Sequence, residues 1–170
     1  MSTARQILVP TDFSEPSRAA LEYAASIAKM LGASIDVFHV WEVPSFTPPG
    51  TVVLGASAGE LSLDELVRRS AHEALEAFVE KARDEGIAVR SGRAERGVPA
   101  EAIVDAAKVG NYDLIVIGTH GRTGLSRVML GSVAEHVVRH AHCPVLSVRV
   151  PESHERDLVG RPSSPSAEAV

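Results

Sequence analysis

The stretch DLIVIGTHGRTGLSRVMLGSVAEHVVRHAHCPVLSVRV, residues 113–150, sets three glycines at fixed offsets behind an apolar run. Its opening, DLIVIG, has the β-branched content of a buried strand, and Gly118 closes it. Gly121 follows three positions on, and Gly131 with Ser132 comes after nine more residues, giving the pattern G-x2-G-x9-G-S. Glycine costs conformational entropy on folding, so glycines in such a register need a compensating use. Gly118 and Gly121 are expected to let the chain turn off the strand and bring main-chain N–H groups close to a ligand. Gly131 then opens a helix whose first turn offers N–H donors and the positive end of the helix dipole. Arg122 and Arg127 add formal charge to a stretch without lysine, and a phosphate chain is the natural guest. A second reading of Ser132 stays open: with Glu135 it makes S-x-x-E, a capping box in which the hydroxyl bonds a backbone N–H of its own helix.

Working outward, QILVPTD is a short β-branched run stopped by proline, and SEPSRAALEYAASIAKMLGA carries Leu21, Ala24, Ala25, Ala28 and Leu31 at helical spacing before Gly32. SIDVFHVW predicts a second strand. EVPSFTPPGTVVLGASAGE, rich in Pro, Gly and Ser, predicts a long mobile loop of the kind that serves as a lid. From Leu61 to Glu85 an apolar stripe predicts the longest helix, IAVRSGRAERG a third, partly exposed strand, and VPAEAIVDAAKVGN a helix opened by Pro99. DLIVIG is the fourth strand and CPVLSVRV the fifth, after a helix holding Val133, Val137 and Val138. Strands alternating with helices imply right-handed crossovers, hence a doubly wound α/β domain with a mostly parallel sheet covered on both faces. Ligands of such sheets sit beyond the carboxyl ends of the strands.

A chain of 170 residues fits one ordinary domain, assigned to residues 1–150; the polar tail 151–170 lacks periodicity and is expected to be disordered. With 17 Lys plus Arg against 22 Asp plus Glu, no general field favours nucleic acid or an anionic membrane. One cysteine, Cys143, leaves no internal disulfide and suits a reducing compartment. Without a signal-peptide core or a membrane-length apolar segment, a cytoplasmic location is expected.

The glycine pattern, together with ILVPTDFSEPSRAALEYAASIAKMLGASIDVFHV (residues 7–40), GVPAEAIVDAA and CPVLSVRV, resembles the universal stress protein family, ATP-binding type, over residues 5–150. The resemblance implies a Rossmann-like, five-stranded parallel sheet of order 3-2-1-4-5 with helices on both faces. It implies that Pro10, Thr11 and Asp12 border the nucleoside, with Asp12 near the ribose or a metal-bridged phosphate, and that Val40 flanks adenine. Gly97 is implied to line the pocket. Gly118, His120, Gly121, Arg122, Gly131, Ser132 and Val133 are implied to hold ribose and phosphates. The cofactor so implied is ATP with Mg2+ or Mn2+, and the partner a second copy paired through the fifth strand, residues 144–150.

Other chemistry is thinner. Asp12 also stands where it can cap the first helix. His136 and His140 lie one turn apart with His142 and Cys143 just beyond, a metal-capable set, though a helix C-terminus favours histidine for dipole reasons alone. His39 and His72 are expected to be structural and solvated, respectively. There is no GxxxxGK[ST], GxGxxG or GxSxG motif. ATP pyrophosphatases and adenylyl transferases carry a glycine- and serine-rich loop after the first strand or a histidine pair; here that loop reads TDFSEPS. Binding with little or no turnover is therefore the expected output, against a slow ATPase, or a dimeric module holding cyclic AMP or no nucleotide.

Overall fold

The computed structural model of the protein describes residues 6–42, 51–55, 59–119 and 130–150. The tail from residue 151 lies outside the described residues. The element order is β1 (Gln6–Thr11), α1 (Glu15–Leu31), β2 (Ser34–Trp41), β3 (Val52–Gly55), β4 (Gly59–Ser62), α2 (Leu63–Asp84), β5 (Val89–Arg96), α3 (Pro99–Val109), β6 (Leu114–Gly118), α4 (Ser132–His140) and β7 (Val145–Val148). Five strands form one sheet in the order β5-β2-β1-β6-β7, and every neighbouring pair is parallel. Counting only these strands, that is the expected 3-2-1-4-5.

One element departs from expectation. Part of the stretch read as a loop, residues 42–60, pairs as an antiparallel β3–β4 hairpin with Val52 opposite Ser62 and Gly55 opposite Gly59. Val52, Val53 and Leu54 favour extended backbone, and a glycine at each side of the turn closes it. Helix α2 accordingly starts at Leu63 rather than Leu61, with Ser62 as N-cap accepting a hydrogen bond from Glu65 N–H. Residues 43–50 of the expected lid lie outside the described residues.

Alternation along the strands divides the core between the two faces. Ile7, Val9, Ile35 and Val37 pack with α1 and α2 through Leu21, Ala24, Leu75 and Val79. Leu8, Phe38, Ile115 and Ile117 pack with α3 and α4 through Ile103, Ala107, Ala134 and Val137. Alanine dominates the inner face of α1, which lets that helix lie close to the sheet. Ser14 caps its start and Gly32, in the left-handed region at φ 65°, ends it.

Toward the amino ends of the strands lies a polar cluster. Asp36 on β2 is 4% exposed. Its Oδ1 accepts from Arg90 Nε at 2.9 Å and from Ser91 Oγ at 2.7 Å, and its Oδ2 from Tyr112 OH at 2.7 Å and from Arg90 Nη2. Burial would raise the Asp36 carboxyl, but bonds from Arg90, Ser91 and Tyr112 outweigh it and hold the group below its ordinary range. Burial, then the bond to Asp36, pushes the Tyr112 phenol up to about 12. Among the described residues, no helix is long and apolar enough to cross a membrane.

Candidate functional site

A cleft of about 440 Å³ opens at the carboxyl ends of β1, β2 and β6, beneath the first turns of α3 and α4. This is the switch point of the sheet, where β1 is flanked on one side by β2 and on the other by β6. Pro10, Thr11 and Asp12 reach it from β1, Val40 from β2, Gly118 from β6, and Gly131, Ser132 and Val133 from the start of α4.

The β1–α1 turn is held by a chain of hydroxyls with a forced direction. Ser17 Oγ donates to the Ser14 carbonyl at 2.8 Å, so across the 3.0 Å contact Thr11 Oγ1 must donate to Ser17 Oγ. Thr11 Oγ1 in turn accepts from Phe13 N–H at 3.0 Å. The Thr11 hydroxyl proton is thus spent on the turn, while its backbone borders the cleft. Asp12 Oδ1 accepts from both the N–H and the hydroxyl of Ser14, so Ser14, and not Asp12, is the residue that caps α1. Phe13 sits at φ 66°, a strained region for a bulky residue, and is held there by packing on His39 and Phe78. His39 Nδ1 donates to the Thr11 carbonyl at 2.8 Å, which fixes that nitrogen as the protonated one. Its expected structural role therefore acquires a specific object, the strand end that presents Asp12.

The start of α4 differs from the capping-box reading. Its N-cap is Gly131, Ser132 is the first helical residue, and no side chain among the described residues caps the helix. The Gly131 N–H is used by the Thr119 carbonyl at 2.7 Å. The first-turn N–H groups of Ser132, Val133 and Ala134 have no partner within the helix, and all three residues line the cleft. With Gly131 at the N-cap, φ −59° and ψ 149°, the helix begins one residue earlier than a Ser132 cap requires.

Gly118 also has a different use from the one its place suggests. A Cβ there would lie 2.8 Å from both the carbonyl carbon and oxygen of Pro16, so glycine permits close approach of β6 to the first turn of α1. Gly97 does not line the cleft: its N–H bonds the Trp41 carbonyl at 3.0 Å and it stands behind Val40. His120, Gly121 and Arg122, and Arg127 with them, lie outside the described residues.

Sequence reasoning missed Ser17, Phe38, Glu42, Pro99, Ile103, Ile117, Thr119 and Ala134 in the lining. Strand alternation through Val40 was a signal for Phe38 and Glu42. The α3 residues carried none, since their approach depends on the crossover. Among the described residues, no group of three or more His, Cys, Asp or Glu is placed to hold a metal ion. His136 and His140 instead stack at 4.1 Å between ring centroids, with His140 Nδ1 at 2.8 Å from the His136 carbonyl.

Comparison with known proteins agrees with this fold. The family model described as "Universal stress protein family" matches residues 3–149. Universal stress protein MJ0531 of Methanocaldococcus jannaschii is 40% identical over 148 residues, 87% of this chain and 84% of that protein. The structure of UspA from Lactobacillus plantarum superposes with a TM-score of 0.70 at 29% identity, covering 88% of this chain and 100% of that one. A universal stress protein solved in complex with cAMP shares the fold, with a TM-score of 0.61 at 24% identity over 87% of this chain and 98% of that one. With a cleft at the switch point, an open helix start beside it and a family match over nearly the whole domain, the chain belongs to the universal stress protein family.

Proposed function

We propose that the chain binds an adenine nucleotide, ATP with Mg2+ or Mn2+, in this cleft and holds it with little or no turnover. The observation that carries the reading is the first turn of α4, uncapped by any described side chain, whose three N–H donors and helix dipole face a cleft that has an apolar side at Phe38, Val40 and Ile103. The α4 N–H groups would hold the phosphates, and the apolar side of the cleft at Val40, Phe38 and Ile103 would take the base. The formal charges in the lining, among the described residues, are carboxylates, Asp12 and Glu42. Asp12 is the residue that would help hold a divalent cation arriving with the nucleotide, and such a cation would supply the charge neutralisation that a triphosphate beside these carboxylates needs. Catalysis would further require stabilisation that grows in the transition state; main-chain donors bind ground and transition states nearly alike, and such uniform binding does not raise turnover.

Calorimetry with ATP tests the reading directly. Affinity is expected in Mg2+ and to fall by roughly ten-fold or more in EDTA, a loss of at least about 1.4 kcal/mol. Phosphate release under single-turnover conditions is expected to stay far below the ordinary enzymatic range of about 1 per second. Absence of binding would remove the reading, and turnover in that range, lost in His120→Ala, would make the protein an ATPase. Cyclic AMP is the second ligand to measure, since a protein of this fold was solved with it. A cyclic monophosphate lacks the chain that the α4 turn and a metal would hold, so it is expected to bind more weakly than Mg-ATP.

A homodimer through the fifth strand goes with this reading. The carbonyl of Pro144, just before β7, accepts from Ile115 N–H and that of Val148 from Thr119 N–H, so Val145 and Ser147 direct their backbone groups outward along an edge with no further strand among the described residues. Such an edge invites pairing with another chain. Light scattering is expected to show a dimer at micromolar concentration that Ser147→Pro, which deletes an outward N–H, dissociates; a wild-type monomer would refute it.

A further inference from the structure

We propose that Glu42 reads the base, selecting ligands whose ring presents an amino donor at the apolar end of the cleft. The inference rests on the nucleotide reading above and concerns which nucleotide is chosen. Phe38, Val40 and Glu42 follow one another at every second position of β2 and its end, so all three face the cleft. Val40 presents the accessible apolar surface there, backed by the nearly buried Phe38 and Ile103, and none of the three offers a side-chain polar group to tell one base from another.

Glu42 is the acidic side chain at that end. Asp12, the other carboxylate of the lining, has its Oδ1 committed to Ser14, whereas Glu42 makes no hydrogen bond or ion pair with any described residue. An ionised carboxylate accepts hydrogen bonds and donates none. It therefore complements an exocyclic amino group and gains nothing from a ring that carries hydrogen at that position. A solvated carboxylate competes with water, so the preference is moderate.

The test compares ATP with purine riboside triphosphate, which differs by loss of the 6-amino group. Wild-type protein is expected to prefer ATP by about ten-fold, the worth of one charge-assisted hydrogen bond partly exposed to water. Glu42→Ala should bring the ratio near one, and Glu42→Gln, which keeps an acceptor oxygen, should retain part of it. Inorganic triphosphate should bind wild type and both variants alike. Trp41, the single tryptophan and the neighbour of Glu42, supplies a fluorescence readout beside calorimetry. Because Glu42 is exposed at the cleft rim, both variants are expected to fold, checked by circular dichroism. Wild-type indifference to the amino group, or an unchanged ratio in Glu42→Ala, overturns the proposal while leaving nucleotide binding intact. If wild type binds neither nucleotide, both the nucleotide reading and this inference fall.

Discussion

Asp36→Ala is expected to lower the free energy of unfolding by about 3 kcal/mol, measured by urea denaturation at neutral pH. The alanine leaves Tyr112 OH, 2.7 Å from its acceptor in the wild type, buried without a partner, and removes the acceptor for Ser91 and Arg90. Arg90 itself is nearly half exposed and regains water, which keeps the loss below that of stranding a fully buried charge. Acid titration supplies an independent check. The folded Asp36 carboxyl lies below its unfolded range, so its contribution is complete above pH about 4 and is lost as pH falls through the folded value. Asp36→Asn should therefore flatten the acid limb of the stability curve. At the other extreme, a Tyr112 phenol at about 12 contributes stability that fades as pH rises from the unfolded value near 10 toward that figure. A variant within about 0.5 kcal/mol of wild type would show the cluster to be neutral, as buried ionic groups sometimes are.

Gly118→Val should act on both stability and binding. The obstacle is backbone: the added Cβ meets Pro16 carbonyl atoms at 2.8 Å and its Cβ at 3.0 Å, and none of these can rotate away. Relief requires the first turn of α1 to move off the end of β6, at a cost of about 1–3 kcal/mol. That shift carries Ser17 with it, and Ser17 holds the Thr11 hydroxyl beside Asp12. ATP affinity is expected to drop by ten-fold or more, since displacement of about 1 Å in a positioned site has effects of that order or larger. Gly97→Ala is the control: its Cβ would meet Ala102 at 3.4 Å and Val40 at 3.9 Å, ordinary contact, and should change stability by less than about 0.5 kcal/mol. Unaltered melting and binding in Gly118→Val would mean that the turn adapts.

How much of this was legible in the chain follows from the range of each interaction. The strands β1, β2 and β6 are short apolar runs bounded by Pro, Gly or Asp, and α1 has a serine cap and a terminal glycine, all local signals. Strand order was legible through resemblance, because no local pattern says which strand lies beside which. The β3–β4 hairpin was hidden by its flanks, whose prolines and serines outweighed three β-preferring residues. Gly118 was recognisable as special, but its reason lies in Pro16, about a hundred positions away, and no turn rule contains that. Asp36 and Tyr112 are likewise brought together by the sheet alone, and Glu42 reaches the cleft only because β2 ends beside it. The eight implied positions that line the cleft were reached from a motif and three strand ends; the loop residues His120, Gly121 and Arg122 still rest on the resemblance.

The polar cluster at Asp36 on β2 and the rim carboxylate at Glu42, just past the end of that strand, are six residues and therefore roughly 20 Å apart. Substitutions that far apart, with no shared partner, usually add without coupling. On the proposed reading of Glu42, a descendant lineage can then exchange one guest for another at the rim while the anchor at the far end keeps the domain folded. Diversification among paralogues of this architecture needs few compensating changes, and the rim, rather than the anchor, is where sequence drift should become visible as altered chemistry.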